Sequence, residues 1–315
     1  MTDAKPRATA PDIAGALASA AHAVEAVLDQ LLPRASGLAE DALFEAMRYA
    51  VMGGGKRFRP ALSLACGRLF DLPEAAVLRA AAALELVHCY SLVHDDLPAM
   101  DDDDLRRGLP SCHAKYGEAT AILAGDALMT LAFEVLADPA THSDGGRRTE
   151  LILSLARAAG PQGMVAGQMI DLAAEGKTPM RPVGGPRQLD AAGIARMEEL
   201  KTAALISCAC ETPAILAGAP AAARAALAAY ARALGLAYQV TDDLLDAEGG
   251  SAEIGKTAGK DAAAGKATFV ATLGLEGARA EAARLLREAG QNLDFFGEKA
   301  DFLRDLTRFV LERRK

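Results

Sequence analysis

The chain has 315 residues, 51% of them hydrophobic, with a formal net charge of -8. This length and apolar share are enough to bury a large core and exclude a disordered chain. The acidic balance excludes the basic footprint of a nucleic-acid binder, so no nucleic-acid partner is expected. Five cysteines, Cys66, Cys89, Cys112, Cys208 and Cys210, form an odd set without metal-knuckle spacing, as expected in a reducing cytoplasm. The opening MTDAKPRATAPD has no apolar h-region, and no run of 18 apolar residues escapes charge, Gly or Pro. Neither export nor a membrane span is expected.

Ala and Leu dominate, Trp is absent and aromatic residues make up 4%. The runs ALFEAMRYAVM (42–52) and AAALELVHCYSLVH (81–94) repeat apolar residues at three- and four-residue intervals, the helical period, so an all-α fold is expected. Between them GGGKRFRP (53–60) carries Lys56, Arg57 and Arg59. It is no Walker loop: Ala50 stands where the first glycine belongs, and Arg57 follows the lysine.

Residues 92–108, LVHDDLPAMDDDDLRRG, place six aspartates within ten positions, then Arg106 and Arg107. Pro98 ends or bends the helix after Asp95 and Asp96. His88, Ser91 and Asp95 share one face of that helix. At least two of Asp102, Asp103 and Asp104 read as solvated or helix N-terminal acids. Further on, GQMID sets Gln168 and Asp171 at i and i+3, EGKTPMRPVGGPRQ (175–188) is the clearest loop, and LKTA carries Lys201 and Thr202. In YQVTDDLLD, Gln239, Asp242, Asp243 and Asp246 are spaced i, i+3, i+4, i+7 and so share one helix face. GKTAGKDAAAGK adds Lys256, Lys260 and Lys266.

Taken alone, either acidic stretch is equally well a solvated face, and any one basic group a surface charge. Their combination in an apolar helical chain points elsewhere. Two aspartate sites suit Mg²⁺, a hard ion that takes one or two carboxylates and completes its shell with water and phosphate oxygens. The calcium loop pattern is missing, and zinc lacks Cys or His neighbours beyond His94. Arg and Lys groups match a polyphosphate. A diphosphate head on a hydrocarbon tail fits both halves of this composition.

These residues resemble the trans-polyprenyl diphosphate synthase family. DDLPAMD, Asp95 to Asp101, followed by DDDLRRG, resembles its first aspartate-rich motif in the longer form of bacterial farnesyl diphosphate synthases, and TDDLLD resembles the second. GGGKRFRP, GQMIDL, LKT and the later GK pairs follow in the family's order, densely from about residue 45 to 270.

The resemblance implies an all-α isoprenoid synthase bundle around one deep central cavity. It also implies a homodimer and a single domain over 1–315, with residues 1–11 read as disordered. It implies Mg²⁺ held by Asp95, Asp101 and Asp242 directly, and by Asp96, Asp243 and Asp246 directly or through water, three ions with substrate bound. Arg106, Lys201, Gln239, Lys256 and Lys266 would hold the allylic diphosphate. Lys56, Arg59, His88 and Arg107 would hold isopentenyl diphosphate, while Gln168 and Asp171 would line the cavity. Thr202 and Gln239 would turn their dipoles toward a carbocation. Tyr90, five residues before Asp95, with its neighbour Ser91, would form the floor that stops chain growth at C15. Tyr90 nevertheless lies about 140° around the helix from Asp95, so an interhelical packing role stays open.

A C20 synthase is the alternative, and a non-catalytic regulatory subunit the alternative from another class. None of the motif aspartates or cations such a subunit would lack is missing here. The 175–187 loop and the tail Arg313, Arg314 and Lys315 receive no role.

Overall fold

The computed structural model describes residues 12–178, 189–248 and 268–312. The first helices are α1 (Ile13–Leu31), α2 (Asp41–Met52), α3 (Phe58–Arg68) and α4 (Glu74–Asp95). Then come α5 (Cys112–Tyr116), α6 (Glu118–Ala137), α7 (Gly145–Ala159) and α8 (Met164–Ala174). The rest is α9 (Ala191–Glu198), α10 (Ala204–Leu216), α11 (Ala221–Ala247), α12 (Phe269–Asn292) and α13 (Asp301–Glu312). The helical period therefore reports the architecture correctly. The exception is a two-stranded antiparallel hairpin, Leu105–Arg106 against Leu109–Pro110. Its two-residue loop, Arg107-Gly108, has positive φ at both positions, the backbone that tight hairpins favour.

Helix α4 is the axis of the first core. Val77 and the run from Ala80 to Val87 are buried on all sides, as expected of a helix apolar all round. Its alanines let α1, α2, α3, α6 and α10 approach closely. A second core joins α3, α10, α11 and α13 around Tyr230, and a third joins α9, α11 and α12.

No run of 18 residues in the described helices is free of charge, Gly and Pro. By length and mean hydropathy α4 and α6 are each long enough to span a bilayer, because average hydropathy tolerates single interruptions such as Glu85 and Asp126. Burial inside the bundle accounts for α4, whereas α6 leaves Ile122 and Leu123 exposed.

Candidate active site

Helix α4 stops where Pro98 supplies no N–H and disfavours helical backbone before it. The chain then folds back: Met100 N donates to Leu97 O at 2.8 Å, Asp101 N to Asp95 O at 2.8 Å, and Asp103 N to Asp96 O at 3.1 Å. The first and last aspartates of the motif are thereby brought together by their own backbone. Asp101 Oδ1 is buried and accepts no hydrogen bond among the described residues. Burial, together with Asp101 and Asp96, pushes the Asp95 carboxyl up to about 6 against the pull of Lys201 and Arg106. Two crowded carboxylates, one oxygen of which accepts no hydrogen bond among the described residues, fit a divalent cation. Among the described residues no three His, Cys, Asp or Glu side chains make a ready-made cage.

Asp96, expected to meet Mg²⁺ directly or through water, carries a further duty here. It is 2% exposed and accepts from Arg106 Nε at 3.0 and 3.1 Å, and from Nη2. Both its oxygens accept from the hairpin's Arg106, so it aims that guanidinium. Asp103, also buried, stands 3.9 Å from the same guanidinium, while Asp102 and Asp104 are exposed as expected.

The cations expected for isopentenyl diphosphate converge behind this loop. Arg107, at the hairpin tip, donates to Gly54 O; Gly55, with φ 136°, leaves room for its guanidinium, which a Cβ would overlap. Arg59 Nε is buried without an acceptor among the described residues, and burial lowers the Arg59 pKa. Burial first, then Arg59, Arg107, Arg106 and Arg57, hold His88 well below its usual value. His88 is thus held neutral among arginines, of which Arg57 and Arg106 are paired with Glu85 and Asp96 while Arg59 Nε lacks an acceptor among the described residues. Lys56, three residues before Arg59 in sequence, is exposed.

Arg57 must be withdrawn from the phosphate-binding cations. Its side chain is closed to solvent and donates to Glu85 Oε1 at 2.8 Å, Val51 O at 2.5 Å and Glu25 Oε1 at 3.2 Å. Burial works against its charge, yet Glu85 holds its pKa above the usual value.

Lys201 and Thr202 lie on a π-helical turn, Glu199–Ala203, between α9 and α10. Such a turn bulges side chains out of regular register. Gly167 of α8 and Gly235 of α11 clamp it: a Cβ on either would overlap the Lys201 backbone or Ala203. Lys201 donates to Asp171. Burial opposes its charge, but Asp171 and Asp95 outweigh that and raise its pKa. Gln168 Nε2, three residues before Asp171, is buried without an acceptor among the described residues.

The Thr202 hydroxyl is 3.1 Å from Glu198 Oε2 and 3.4 Å from Gln239 Oε1. One hydroxyl proton serves only one of them. Burial, Asp243 and Asp171 push the Glu198 carboxyl up to about 8 against the pull of Lys201 and Thr202. A protonated Glu198 supplies the missing donor and leaves Thr202 to donate to Gln239. Gln239 Nε2 then donates to Asp243 Oδ1 at 3.1 Å, and Phe269 N, at the start of α12, to Asp243 Oδ2 at 2.8 Å. Asp243 therefore braces α12, a structural duty absent from the expectation. Glu198 carries no motif signal; its one sequence cue is the i, i+4 relation to Thr202.

Electrostatic coupling joins the two motifs. Lys201 acts on Asp95 and Glu198, Glu198 on Asp243, and Arg59 on Asp242. Phe58 stacks on Tyr238 at 5.2 Å, tying the start of α3 to the helix of the second motif. Residues almost 150 positions apart are thus linked through shared charged neighbours. Asp246 is half-buried on the same helix. The Ser91 hydroxyl donates back to His88 O at 2.9 Å, and Tyr90 is buried in the first core, edge-on to His94. Lys256 and Lys266, like the C-terminal Arg313, Arg314 and Lys315, lie outside the described residues.

A pocket opens on the flank of α4, between α2 and the hairpin, where Asp96, Arg106 and Arg107 meet Tyr49, Gly53 and Cys89. It backs onto the hairpin and does not include Asp95.

The sequence matches the polyprenyl synthetase family model over residues 40–301. It is 46% identical over 276 residues to farnesyl diphosphate synthase of Escherichia coli, spanning 86% of this chain and 89% of that one. Over 299 residues it is 42% identical to geranylgeranyl pyrophosphate synthase 11 of Arabidopsis thaliana, spanning 92% and 79%. An FPP/GFPP synthase structure from Zymomonas mobilis superposes with a TM-score of 0.84 at 42% identity, covering 95% of this chain and 99% of the other. The chain belongs to the polyprenyl synthetase family, and its bundle is the all-α fold of the isoprenoid synthases.

Proposed function

We propose that the protein is a trans-prenyltransferase that condenses isopentenyl diphosphate head-to-tail with dimethylallyl and then geranyl diphosphate, releasing farnesyl diphosphate. The carrying observation is the juxtaposition of an aspartate loop, Asp95 and Asp101, with half-buried Lys201, beside a cationic pocket of Arg59, Arg107 and neutral His88.

In this reading Asp95, Asp101 and Asp242 hold Mg²⁺, which supplies charge neutralisation of the allylic diphosphate. Lys201, with Arg106 aimed by Asp96, meets the same diphosphate, and Lys256 and Lys266 complete the set. The allylic C–O bond breaks and its electron pair leaves with diphosphate. The double bond of isopentenyl diphosphate, held by Lys56, Arg59, His88 and Arg107, attacks the allylic cation and forms the new C–C bond. Alignment of the two substrates supplies much of the acceleration. The departed diphosphate takes the proton whose loss restores a double bond. Thr202 and Gln239 turn oxygen dipoles toward the cation.

We read the chain as one domain, a cytoplasmic homodimer. Exposed Ile122 and Leu123 on α6 support a subunit contact, and five buried free cysteines support a reducing compartment. The C20 product is the second reading, favoured by the burial of Tyr90 among core side chains.

The test incubates the protein with Mg²⁺, isopentenyl diphosphate and each allylic diphosphate, then resolves the product alcohols. Products ending at C15, extended by Tyr90→Ala, support the whole reading. Conversion of farnesyl diphosphate to C20 moves the floor away from Tyr90. Diphosphate binding without turnover overturns the enzymatic reading in favour of a regulatory subunit.

A further inference from the structure

The loop that opens with EGK, left without a role by its sequence, begins with a fixed cation. Helix α8 ends in a Schellman motif: Lys177 N donates to Leu172 O at 2.9 Å, Gly176 N donates to Ala173 O at 3.2 Å, and Gly176 has φ 77°. This ending pins the Lys177 backbone to the helix that also carries Gln168 and Asp171. The side chain crosses to the first aspartate loop, where Nζ donates to Met100 O at 2.6 Å and stands 3.7 Å from Asp101 Oδ1. Glu175 Oε2 holds the same ammonium at 2.7 Å. Asp101 Oδ1 is the buried oxygen that accepts no hydrogen bond among the described residues.

We propose that Lys177 is a tethered counter-ion of the first aspartate motif, neutralising Asp101 in the substrate-free protein and competing there with the divalent cation. The inference rests on the reading of Asp101 as a metal ligand. An ammonium near a carboxylate lowers the attraction that carboxylate offers a second cation. Because the Lys177 backbone is pinned and Glu175 fixes its head, it does not simply drift away when a metal arrives. Metal binding by the bare enzyme is therefore weak, and the negative charge of a bound diphosphate offsets the penalty. Lys177 acts through Asp101 and the Met100 carbonyl, so it is a positioning residue.

The experiment titrates the full-length protein with Mn²⁺ alone, following free Mn²⁺ by electron paramagnetic resonance without any diphosphate. Wild type is compared with Lys177→Met, Lys177→Arg and Asp101→Asn. For a half-exposed ion pair of this length, Lys177→Met is expected to bind Mn²⁺ about fivefold more tightly, with Lys177→Arg close to wild type. Lys177→Gln replaces the methionine variant if that one loses its helical circular dichroism. Equal or weaker affinity in the neutral variants overturns the proposal, and the metal-site reading survives if Asp101→Asn still weakens binding. Should Asp101→Asn bind Mn²⁺ as wild type does, the metal-site reading itself fails and the proposal falls with it.

Discussion

The guanidinium of Arg57 and the carboxylate of Glu85 meet at 2.8 Å with both side chains closed to water. The pair anchors the GGGKRFRP segment to the middle of α4, nearly three turns before the first aspartate motif. Removing one partner strands a buried charge. Arg57→Met is expected to cost about 3–5 kcal/mol of stability, and Arg57→Met with Glu85→Leu less, because the second replacement removes the fully buried carboxylate that the first strands. Urea denaturation of the two variants checks this.

Gly167 faces the backbone of Lys201 with no room for a Cβ. Gly167→Ala is expected to push the π-helical turn, and with it Lys201, away from the diphosphate. Displacement of about 1 Å costs on the order of 100-fold in kcat/KM. Steady-state kinetics with geranyl diphosphate reads it, alongside circular dichroism that should show the bundle intact.

Glu198 gives stability a definite slope with pH. Its carboxyl titrates at about 8 in the folded protein against an ordinary 4.5. Between those values the folded chain keeps a proton the unfolded chain has lost. Stability is therefore highest below the lower value, falls as pH rises, and levels off above about 8. Glu198→Gln, neutral throughout and still a donor to Thr202, is expected to flatten that fall by on the order of a few kcal/mol. Thermal melts at pH 5, 7 and 9 measure the difference.

Asp243 and Asp242 are adjacent in sequence but differently employed. Asp243 accepts from the first N–H of α12, whereas Asp242 couples to Arg59. Asp243→Ala is expected to lose about 1 kcal/mol through the lost helix-end bond. Asp242→Ala is expected to raise the Mg²⁺ concentration needed for turnover by the larger factor. Melting curves and Mg²⁺-dependence of kcat, measured on both, separate the two duties.

Lys201 neutralises Asp171 and Asp95 from one position. Lys201→Ala is expected to lower kcat on the order of 10²–10³-fold, the scale for a preorganised electrostatic contact to developing charge. Lys201→Arg is expected to recover only part, since Arg presents a planar fork where a point charge fits. Single-turnover rates make the comparison.

Much of this site is legible one helix at a time. Asp242, Asp243, Asp246 and Gln239 share a face because the helical repeat places them there, and Pro98 marks the end of α4 because proline lacks a donor. The hairpin at Leu105–Pro110 escaped because four paired residues carry no alternating pattern, and only Arg107-Gly108 signalled the turn. Duties within a motif were not legible. Asp96 turns to Arg106, Asp243 to α12 and Arg57 to Glu85, since each choice depends on which partner lies across the bundle.

The sequence by itself determined the helical class, the two acidic motifs, their cations and the family they resemble, because period and local spacing are properties of contiguous residues. Only the tertiary structure decided that Glu198 bonds Thr202, that Lys177 reaches Asp101, and that two glycines on different helices clamp one π-helical turn. Those relations join residues distant along the chain or turn on burial, and both the low dielectric that shifts a carboxyl and the space that admits only glycine exist only after the helices pack.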